Sequence, residues 1–110
     1  MSCPDVSFII VSWNTKAYLA RCLATVSRGA ENLGIEVIVV DNGSSDGTQA
    51  MLAQEFPAVR VIQNAEIVGF GRGNNIGAQA SRGRALLLLN SDCELSPGAL
   101  EVYAEALHRS

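Results

Sequence analysis

Short apolar runs recur along the 110-residue chain, and a segment with helical periodicity follows each of them. The runs cover residues 6–11, 36–40, 59–62 and 85–89. A continuous apolar run rich in β-branched residues is typical of a strand that is covered on both faces. Strands that alternate with helices form parallel sheets, so we predict an α/β fold, a three-layer, Rossmann-like parallel sheet with helices on both faces.

The segments between these runs place apolar residues at helical spacing. We predict a helix over roughly residues 15–28, a second that ends before Pro57, and a third that follows the glycine-rich start of residues 69–82. Ser96 and Pro97 form a typical helix start and predict a last helix. The expected buried stripes are Leu19, Cys22, Leu23 and Val26, then Met51, Leu52 and Phe56, and finally Leu100, Tyr103 and Leu107.

Composition limits the classes of protein to consider. Hydrophobic residues make up 48% of the chain and charged residues 17%, which fits one compact domain over residues 1–110. The net charge of -3 disfavours a nucleic-acid binder, whose surface is normally basic. The sequence has no apolar run of the ~20 residues that span a bilayer and no signal-peptide pattern, so we expect a cytoplasmic protein without a transmembrane segment.

The cysteines do not form a metal-binding pattern. Cys3, Cys22 and Cys93 contain no C-x-x-C pair, and the one histidine, His108, is distant from all three in sequence. We therefore expect no zinc site, and reduced, partly buried thiols.

Polar residues follow three of the predicted strands. Residues 12–14 come after the first, residues 41–44 after the second and residues 90–92 after the fourth. Ligands of open parallel sheets bind beyond the carboxyl ends of the strands, so these positions predict a ligand site.

The chemistry of these residues allows two readings of each. Asp41 can accept hydrogen bonds from a base or a ribose, or it can simply cap its turn. Asp92 can hold a divalent metal on a diphosphate, although an isolated aspartate after a strand is more often a turn residue. Trp13 can stack on a base or cover the end of the sheet.

Glycines are frequent between residues 69 and 77, where Arg72 adds a positive charge. Backbone amides at a helix start, together with an arginine, favour a phosphate. Tight packing of a turn explains the glycines equally well. The segment matches neither the G-x-G-x-x-G dinucleotide fingerprint nor a Walker loop, which disfavours an NAD-linked enzyme.

Taken together, these motifs resemble the N-terminal part of family 2 glycosyltransferases of the GT-A fold. The resemblance covers nearly the whole chain. The rhamnosyltransferase-like subgroup is the most similar, because the family's Asp-x-Asp motif is commonly Asn-x-Asp in that subgroup, as in Asn90-Ser91-Asp92 of this chain. By analogy with the family, the strand order is expected to be 3-2-1-4. The matching segments are Phe8–Asn14, Val39–Thr48, Gly69–Gly77 and Leu87–Asp92.

The resemblance implies a site for a UDP- or dTDP-linked sugar. Asp41 is expected to bind the base, Asn90 to lie near the ribose, and Asp92 to contact the diphosphate through a divalent metal, Mn or Mg. The chain departs from the family at two positions: Ser91 replaces the usual proline, and Asn90 replaces an aspartate, which removes one carboxylate from the expected metal site. The expected substrate-binding residues are Ser12, Trp13, Asn14, Asp41, Gly43, Ser44, Arg72, Asn74 and Asn90.

The family's reaction is an inverting displacement at the anomeric carbon, in which a carboxylate deprotonates the acceptor hydroxyl. In the family that base and most of the acceptor site lie downstream of the motif at Asn90 to Asp92. We therefore expect no catalytic residue within residues 1–110, at best weak donor binding, and no sugar transfer by this chain alone.

Other interpretations stay open. The chain can be a non-catalytic nucleotide-binding or assembly module, or an inactive fragment of a longer enzyme. A sugar-phosphate nucleotidyltransferase is disfavoured, because those enzymes carry a Gly- and Arg-rich loop where this chain has Ser12, Trp13 and Asn14. In the expected strand order, residues 86–89 form an edge strand, and an apolar edge invites pairing. We therefore predict self-association through that edge.

Overall fold

Strands and helices alternate along the chain, as the sequence predicts. The computed structural model describes residues 4–28, 33–64, 68–96, 98–100, 102 and 105–106, with only the backbone of Phe70. The strands are β1 (Val6–Ser12), β2 (Ile35–Asp41), β3 (Arg60–Gln63) and β4 (Ala85–Asn90). The helices are α1 (Lys16–Ser27), α2 (Thr48–Glu55) and α3 (Phe70–Ala80).

All the strand pairs are parallel, and the strand order is β3-β2-β1-β4. Both the α/β fold class and the order 3-2-1-4 are thereby confirmed. In the register, Ser12 lies opposite Asp41 on β2, and Val11 lies opposite Asn90 on β4. The carboxyl ends of β1, β2 and β4 therefore meet at one edge of the sheet, here called the carboxyl edge.

The two faces of the sheet carry separate apolar clusters, because successive strand residues point to opposite faces. On one face, Phe8 and Ile10 pack with Leu19 of α1 and Leu52 of α2. On the other face, the buried cluster of β1 and β2 packs against Ile76 and Ala80 of α3. Helices thus cover both faces, as predicted.

The glycines of α3 lie in a different context from the one the sequence suggests. α3 begins immediately after Gly69, so most of the glycine-rich stretch is helical rather than a loop. A Cβ at Gly73 would lie 2.9 Å from Val11 Cγ2, and one at Gly77 would collide with Ile9 Cγ2. Gly73 and Gly77 are four residues apart and share one helix face. These two glycines let α3 approach the sheet closely, so they serve the packing of a helix on the sheet and not the tight turn that the sequence allowed.

The predicted burial of the second helix holds except at Phe56, which follows the end of α2 and is only partly buried. Met51 and Leu52 are buried in α2, which ends at Glu55, before Pro57. Leu100 is buried in the expected last helix, whereas Pro97, Tyr103 and Leu107 lie outside the described residues. In the part of the chain that the structure describes, no helix has both the length and the apolar character needed to cross a membrane.

A buried acidic residue organises the opposite, amino edge of the sheet. Glu36 accepts hydrogen bonds from the Ser7 hydroxyl at 2.7 Å and from Arg60 Nη1 at 2.8 Å. Arg82 donates to the same carboxylate through its backbone N–H at 2.8 Å and its Nε at 3.2 Å. Burial opposes ionisation, but these hydrogen bonds outweigh it and lower the pKa of Glu36 to about 2. The carboxylate therefore ties β1, β2, β3 and the segment before β4 together.

Candidate functional site

The carboxyl edge brings together residues that are far apart in sequence. Ser12 and Asp41 are direct neighbours across β1 and β2, and Asn90 ends the strand on the other side of β1. Two strand spacings, about 10 Å, therefore separate the ends of β2 and β4. That span is suited to an elongated ligand with one end near Asp41 and the other near Asp92.

Asp41 is fully buried at the end of β2. Its Oδ1 accepts the Ser44 hydroxyl at 2.5 Å, and its Oδ2 accepts the Ser44 N–H at 3.2 Å. Gln49 Nε2, on the first turn of α2, donates to Oδ2 at 2.7 Å. Both carboxylate oxygens are thus engaged, and the turn-capping role that the sequence allowed is present in the structure.

Hydrogen bonds join the loop after β1 to the loop after β2. The Asn14 N–H donates to Ser44 Oγ at 2.9 Å, and Asn14 Oδ1 accepts the Ser45 N–H at 2.8 Å. Asn14 has φ 52 and Gly43 has φ 77, and glycine adopts this left-handed conformation without strain. Trp13 lies in the same loop with half of its surface exposed (50%). Its indole is therefore open to a stacking partner.

Asp46 completes the connection between these two loops. It accepts the Lys16 N–H at 3.0 Å and both the N–H and the hydroxyl of Thr48, the first residue of α2. The pKa of Asp46 is lowered chiefly because the Thr48 hydroxyl donates to it. Asp46 stands one residue before Gly47, the N-cap of α2, whose φ is 88. The aspartate thus fixes the start of α2, and with it Gln49.

The turn after β4 is linked to the loop after β1 through hydroxyl groups. Thr15 Oγ1 donates to Ser91 Oγ at 3.1 Å and lies 3.2 Å from Ser12 Oγ. A proline, usual in the family at the position of Ser91, has no hydroxyl to make this bond. The departure at Ser91 therefore adds a direct contact between the loop after β1 and the turn after β4.

Helix α1 holds the segment that carries Asp92. Cys22 Sγ lies 4.0 Å from the Asn90 carbonyl, Thr25 Oγ1 accepts the Leu95 N–H at 3.1 Å, and Arg28 donates to the Leu95 carbonyl at 2.9 Å. Asp92 itself is exposed, and its carboxylate hydrogen-bonds none of the described residues. Its side chain is therefore free to meet a ligand.

The cysteines of this region are free thiols. Cys22 is buried and Cys93 is partly buried, while Cys3 lies outside the described residues. Burial, with the nearby Cys93, Asp92 and Glu94, raises the pKa of Cys22 to about 12. The Cys22 thiol therefore stays protonated at neutral pH. Among the described residues, no group of three or more His, Cys, Asp or Glu side chains is arranged to hold a metal.

The start of α3 also lies at the carboxyl edge. Asn42 anchors the preceding segment, because its Nδ2 donates to the Val68 carbonyl at 3.1 Å. Arg72, on the first turn, is exposed, and an added Cβ at Gly71 would meet only open space. Asn74 is 6% exposed, and its Oδ1 finds no hydrogen-bond donor in the described part of the chain. A buried amide oxygen without a donor is typical of a place where a ligand or water donates.

Some residues of this arrangement were not expected from the sequence. Gln49 was not predicted, because its partner Asp41 lies eight positions away in another element. Asn42 lies in the segment Val39–Thr48, which matches the family. Its position in the sequence does not indicate that it also accepts a hydrogen bond from Asn64 at 2.9 Å. Thr15 lies at the start of the first predicted helix, and its position gives no signal for the contacts with Ser12 and Ser91.

Two cavities lie away from Asp41 and Asp92. One, of about 510 Å³, is at the amino edge, where Val26, Ile35 and Val37 form its apolar wall beside the Glu36 carboxylate. The other, of about 540 Å³, is an open groove between the starts of α1 and α2. The first contains no residue that the sequence predicts for the site. The second borders the carboxyl edge, because Asn14, Thr15 and Asp46 line it.

The fold is a Rossmann-like α/β domain with an open parallel sheet, and its polar residues gather at the carboxyl edge. The family model described as "Glycosyl transferase family 2" matches residues 7–110. The chain therefore belongs to glycosyltransferase family 2, and its sheet has the GT-A architecture.

Curated relatives extend beyond the matched region. The chain is 35% identical over 103 residues to the succinoglycan biosynthesis protein ExoO of Rhizobium meliloti (strain 1021), covering 93% of the chain and 29% of that protein. It is 27% identical over 112 residues to an N-acetylglucosaminyl-diphospho-decaprenol L-rhamnosyltransferase of Mycobacterium tuberculosis, covering 92% of the chain and 36% of that protein. The chain thus spans about a third of these relatives, and rhamnosyltransferase is one of several names among them.

Solved structures share the fold at lower identity. S. aureus TarS 1-349 in complex with UDP-GlcNAc aligns with a TM-score of 0.84 at 22% identity, covering 96% of this chain and 31% of that one. The mannosyltransferase PcManGT from Pyrobaculum calidifontis, in complex with GDP-Man and Mn2+, aligns with a TM-score of 0.79 at 23% identity. The alignment covers 97% of this chain and 32% of that one. These matches show the fold.

Proposed function

We propose that residues 1–110 form the donor-binding half of a glycosyltransferase that uses a nucleoside diphosphate sugar. The observation that carries this proposal is the meeting of Asp41, Ser44 and Asp92 at one sheet edge, in a chain of family 2. The sugar is transferred to an acceptor hydroxyl with inversion, and the deprotonating base comes from outside residues 1–110. On this view the chain alone binds donor weakly and transfers no sugar.

Each end of the edge has its own role in this proposal. Asp41, Gly43 and Ser44, with Ser12 and Asn14, surround the base, on which the exposed Trp13 indole stacks. Asn74 Oδ1, which lacks a hydrogen-bond partner among the described residues, accepts a hydrogen bond from the nucleoside. Asn90 lies near the ribose. Arg72 adds a positive charge for the diphosphate, since guanidinium groups pair well with phosphate oxygens.

A divalent cation fits this site only in partnership with the diphosphate. Asp92 offers one free carboxylate and Asn90 one amide oxygen, both hard ligands that Mg²⁺ accepts. The described residues supply no larger ligand group, so phosphate oxygens and water would supply the other ligands. When bound, the cation offsets the charge of the diphosphate leaving group. The residues of the chain itself orient the nucleoside and hold the segment that carries Asp92.

The metal contribution is testable by calorimetry with UDP. We expect Mn²⁺ to tighten UDP binding to the wild type, and Asp92→Asn to remove that gain, a loss of roughly tenfold, without changing metal-free binding. Glu94→Gln, an exposed substitution two residues further on, serves as the matched control and keeps the gain. An unchanged Mn²⁺ effect in Asp92→Asn contradicts the role of Asp92.

The identity of the donor is a narrower hypothesis. The motif Asn90-Ser91-Asp92 supports a rhamnosyltransferase-like enzyme, and a UDP- or dTDP-linked sugar is the donor we propose. The two solved structures are complexes with UDP-GlcNAc and with GDP-Man. Competition of unlabelled UDP, dTDP and GDP for one fluorescent nucleotide ranks the bases, and a preference for GDP overturns this choice.

We also propose that the chain pairs with a second copy through β4. Among the described strands, β4 lies at one edge of the sheet. Leu86 and Leu88 of β4 are 46% and 54% exposed, and they lie on the face where α3 packs against β1 and β2. Pairing of two such edges hides both apolar rows. Light scattering is expected to show a dimer that Leu88→Lys dissociates, whereas Val61→Lys on the opposite outer strand does not. A wild-type monomer at high concentration refutes this proposal.

A further inference from the structure

Asp41, the residue that the proposed function assigns to the base, has no exposed surface. Ser44 occupies Oδ1 through its hydroxyl, and Oδ2 receives the Ser44 N–H and Gln49 Nε2. A ligand therefore reaches this carboxylate only if one of these donors leaves.

Gln49 is the donor that can leave. Ser44 is buried, and its hydroxyl is fixed on a second side by the Asn14 N–H. Gln49 is partly exposed, and within the described part of the chain its Nε2 binds only Asp41 and, at 3.2 Å, the Ser44 carbonyl. Both partners are acceptors, so the amide must present its NH₂ group to them. Rotation of this side chain into solvent would uncover Asp41 Oδ2 without moving the backbone.

We propose that the Gln49 amide holds the place of the nucleobase, and that the base N–H replaces it on Asp41 Oδ2. This inference rests on the proposed function. The Ser44 hydroxyl stays on Oδ1 and the Ser44 N–H stays on Oδ2, so the exchange frees one acceptor position on Oδ2. One such position suits the lone N3–H of uracil or thymine. Guanine presents its N1–H and N2–H groups side by side, and it requires two acceptors.

The exchange predicts a gain of affinity when the competing amide is removed. Gln49→Met keeps the length of the side chain but has no N–H to donate. We expect it to bind UDP roughly three- to tenfold more tightly than the wild type, the effect of removing one competing hydrogen bond. Gln54→Met, an exposed glutamine on the same helix, is the matched control and leaves the affinity unchanged. Both variants are expected to prefer UDP over GDP.

A second measurement does not depend on a substitution that alters the fold. Amide-detected NMR follows the side-chain NH₂ of Gln49, whose exchange with water is expected to accelerate when UDP saturates the protein. If the Gln49 NH₂ group stays protected from water when UDP saturates the protein, the proposed replacement of Gln49 by the base is wrong. Unchanged or weaker UDP binding by Gln49→Met, together with a loss in Asp41→Asn, also overturns it while leaving the proposed function intact. If Asp41→Asn binds UDP as the wild type does, the proposed role of Asp41 fails, and this inference fails with it.

Discussion

Asp41→Asn is expected to weaken UDP binding by roughly tenfold or more, because a hydrogen bond to a charged acceptor contributes about 1.5–3 kcal/mol. The substitution preserves the shape of the side chain but places an NH₂ donor where the base needs an acceptor. Asp41 has no exposed surface, so little of the change in affinity can come from altered solvation of a surface charge. Calorimetric titration with UDP measures the effect directly.

The control for this substitution is Asp5→Asn at the amino edge. Asp5 also accepts a backbone N–H, that of Gly34 at 2.7 Å, so the two substitutions are chemically alike but lie at opposite edges. Asp5→Asn is expected to leave the UDP affinity unchanged. Equal affinities for Asp41→Asn and Asp5→Asn would contradict the assignment of Asp41 to the base. Thermal melts of both variants confirm that the titrated protein is folded.

Glu36→Gln is expected to lower the free energy of unfolding by about 2 kcal/mol at neutral pH, since it removes the charge from a buried group with two arginine partners. Arg60 and Arg82 are partly solvated, which limits the loss. Glu55→Gln, on the exposed face of α2, is the matched control and is expected to have little effect. Urea unfolding of the three proteins gives the comparison.

The same carboxylate predicts a specific pH dependence. The pKa of Glu36 is about 2 in the folded chain, against an ordinary value of 4.5, so the folded state binds a proton less readily than the unfolded state. Its stabilising contribution is complete above pH 4.5 and is lost as the pH falls towards 2. The difference in stability between wild type and Glu36→Gln should therefore shrink across that interval. A constant difference would show that Glu36 acts through packing alone.

Most of the fold could be predicted from the sequence because the signal is local and repeated. The runs at residues 6–11 and 36–40 are too short and too β-branched for helices, and both are strands. The order 3-2-1-4 came from the family resemblance, since periodicity does not determine which strands are neighbours. The glycines of α3 escaped prediction, because Gly73 and Gly77 are explained by contacts with Val11 and Ile9 rather than by their own backbone.

The candidate site was predictable in its position but not in its internal bonding. Polar residues after apolar strands indicate the carboxyl edge, and the structure brings Ser12, Asp41 and Asn90 together there. Side-chain partners such as Gln49 on Asp41 depend on the tertiary arrangement of two elements. The Glu36 network at the other edge gave no sequence signal for the same reason, since a charged residue at a strand start is common.

The central claim is that the carboxyl edge, and not the amino-edge cavity, binds a nucleoside diphosphate sugar. Titration of the ¹⁵N-labelled chain with UDP-GlcNAc and Mg²⁺, followed by amide NMR, tests it directly. We predict that the shifted amides cluster at residues 12–14, 41–49 and 90–92. Shifts that cluster instead at Val26, Ile35 and Arg82, or no shifts at millimolar ligand, would contradict this assignment.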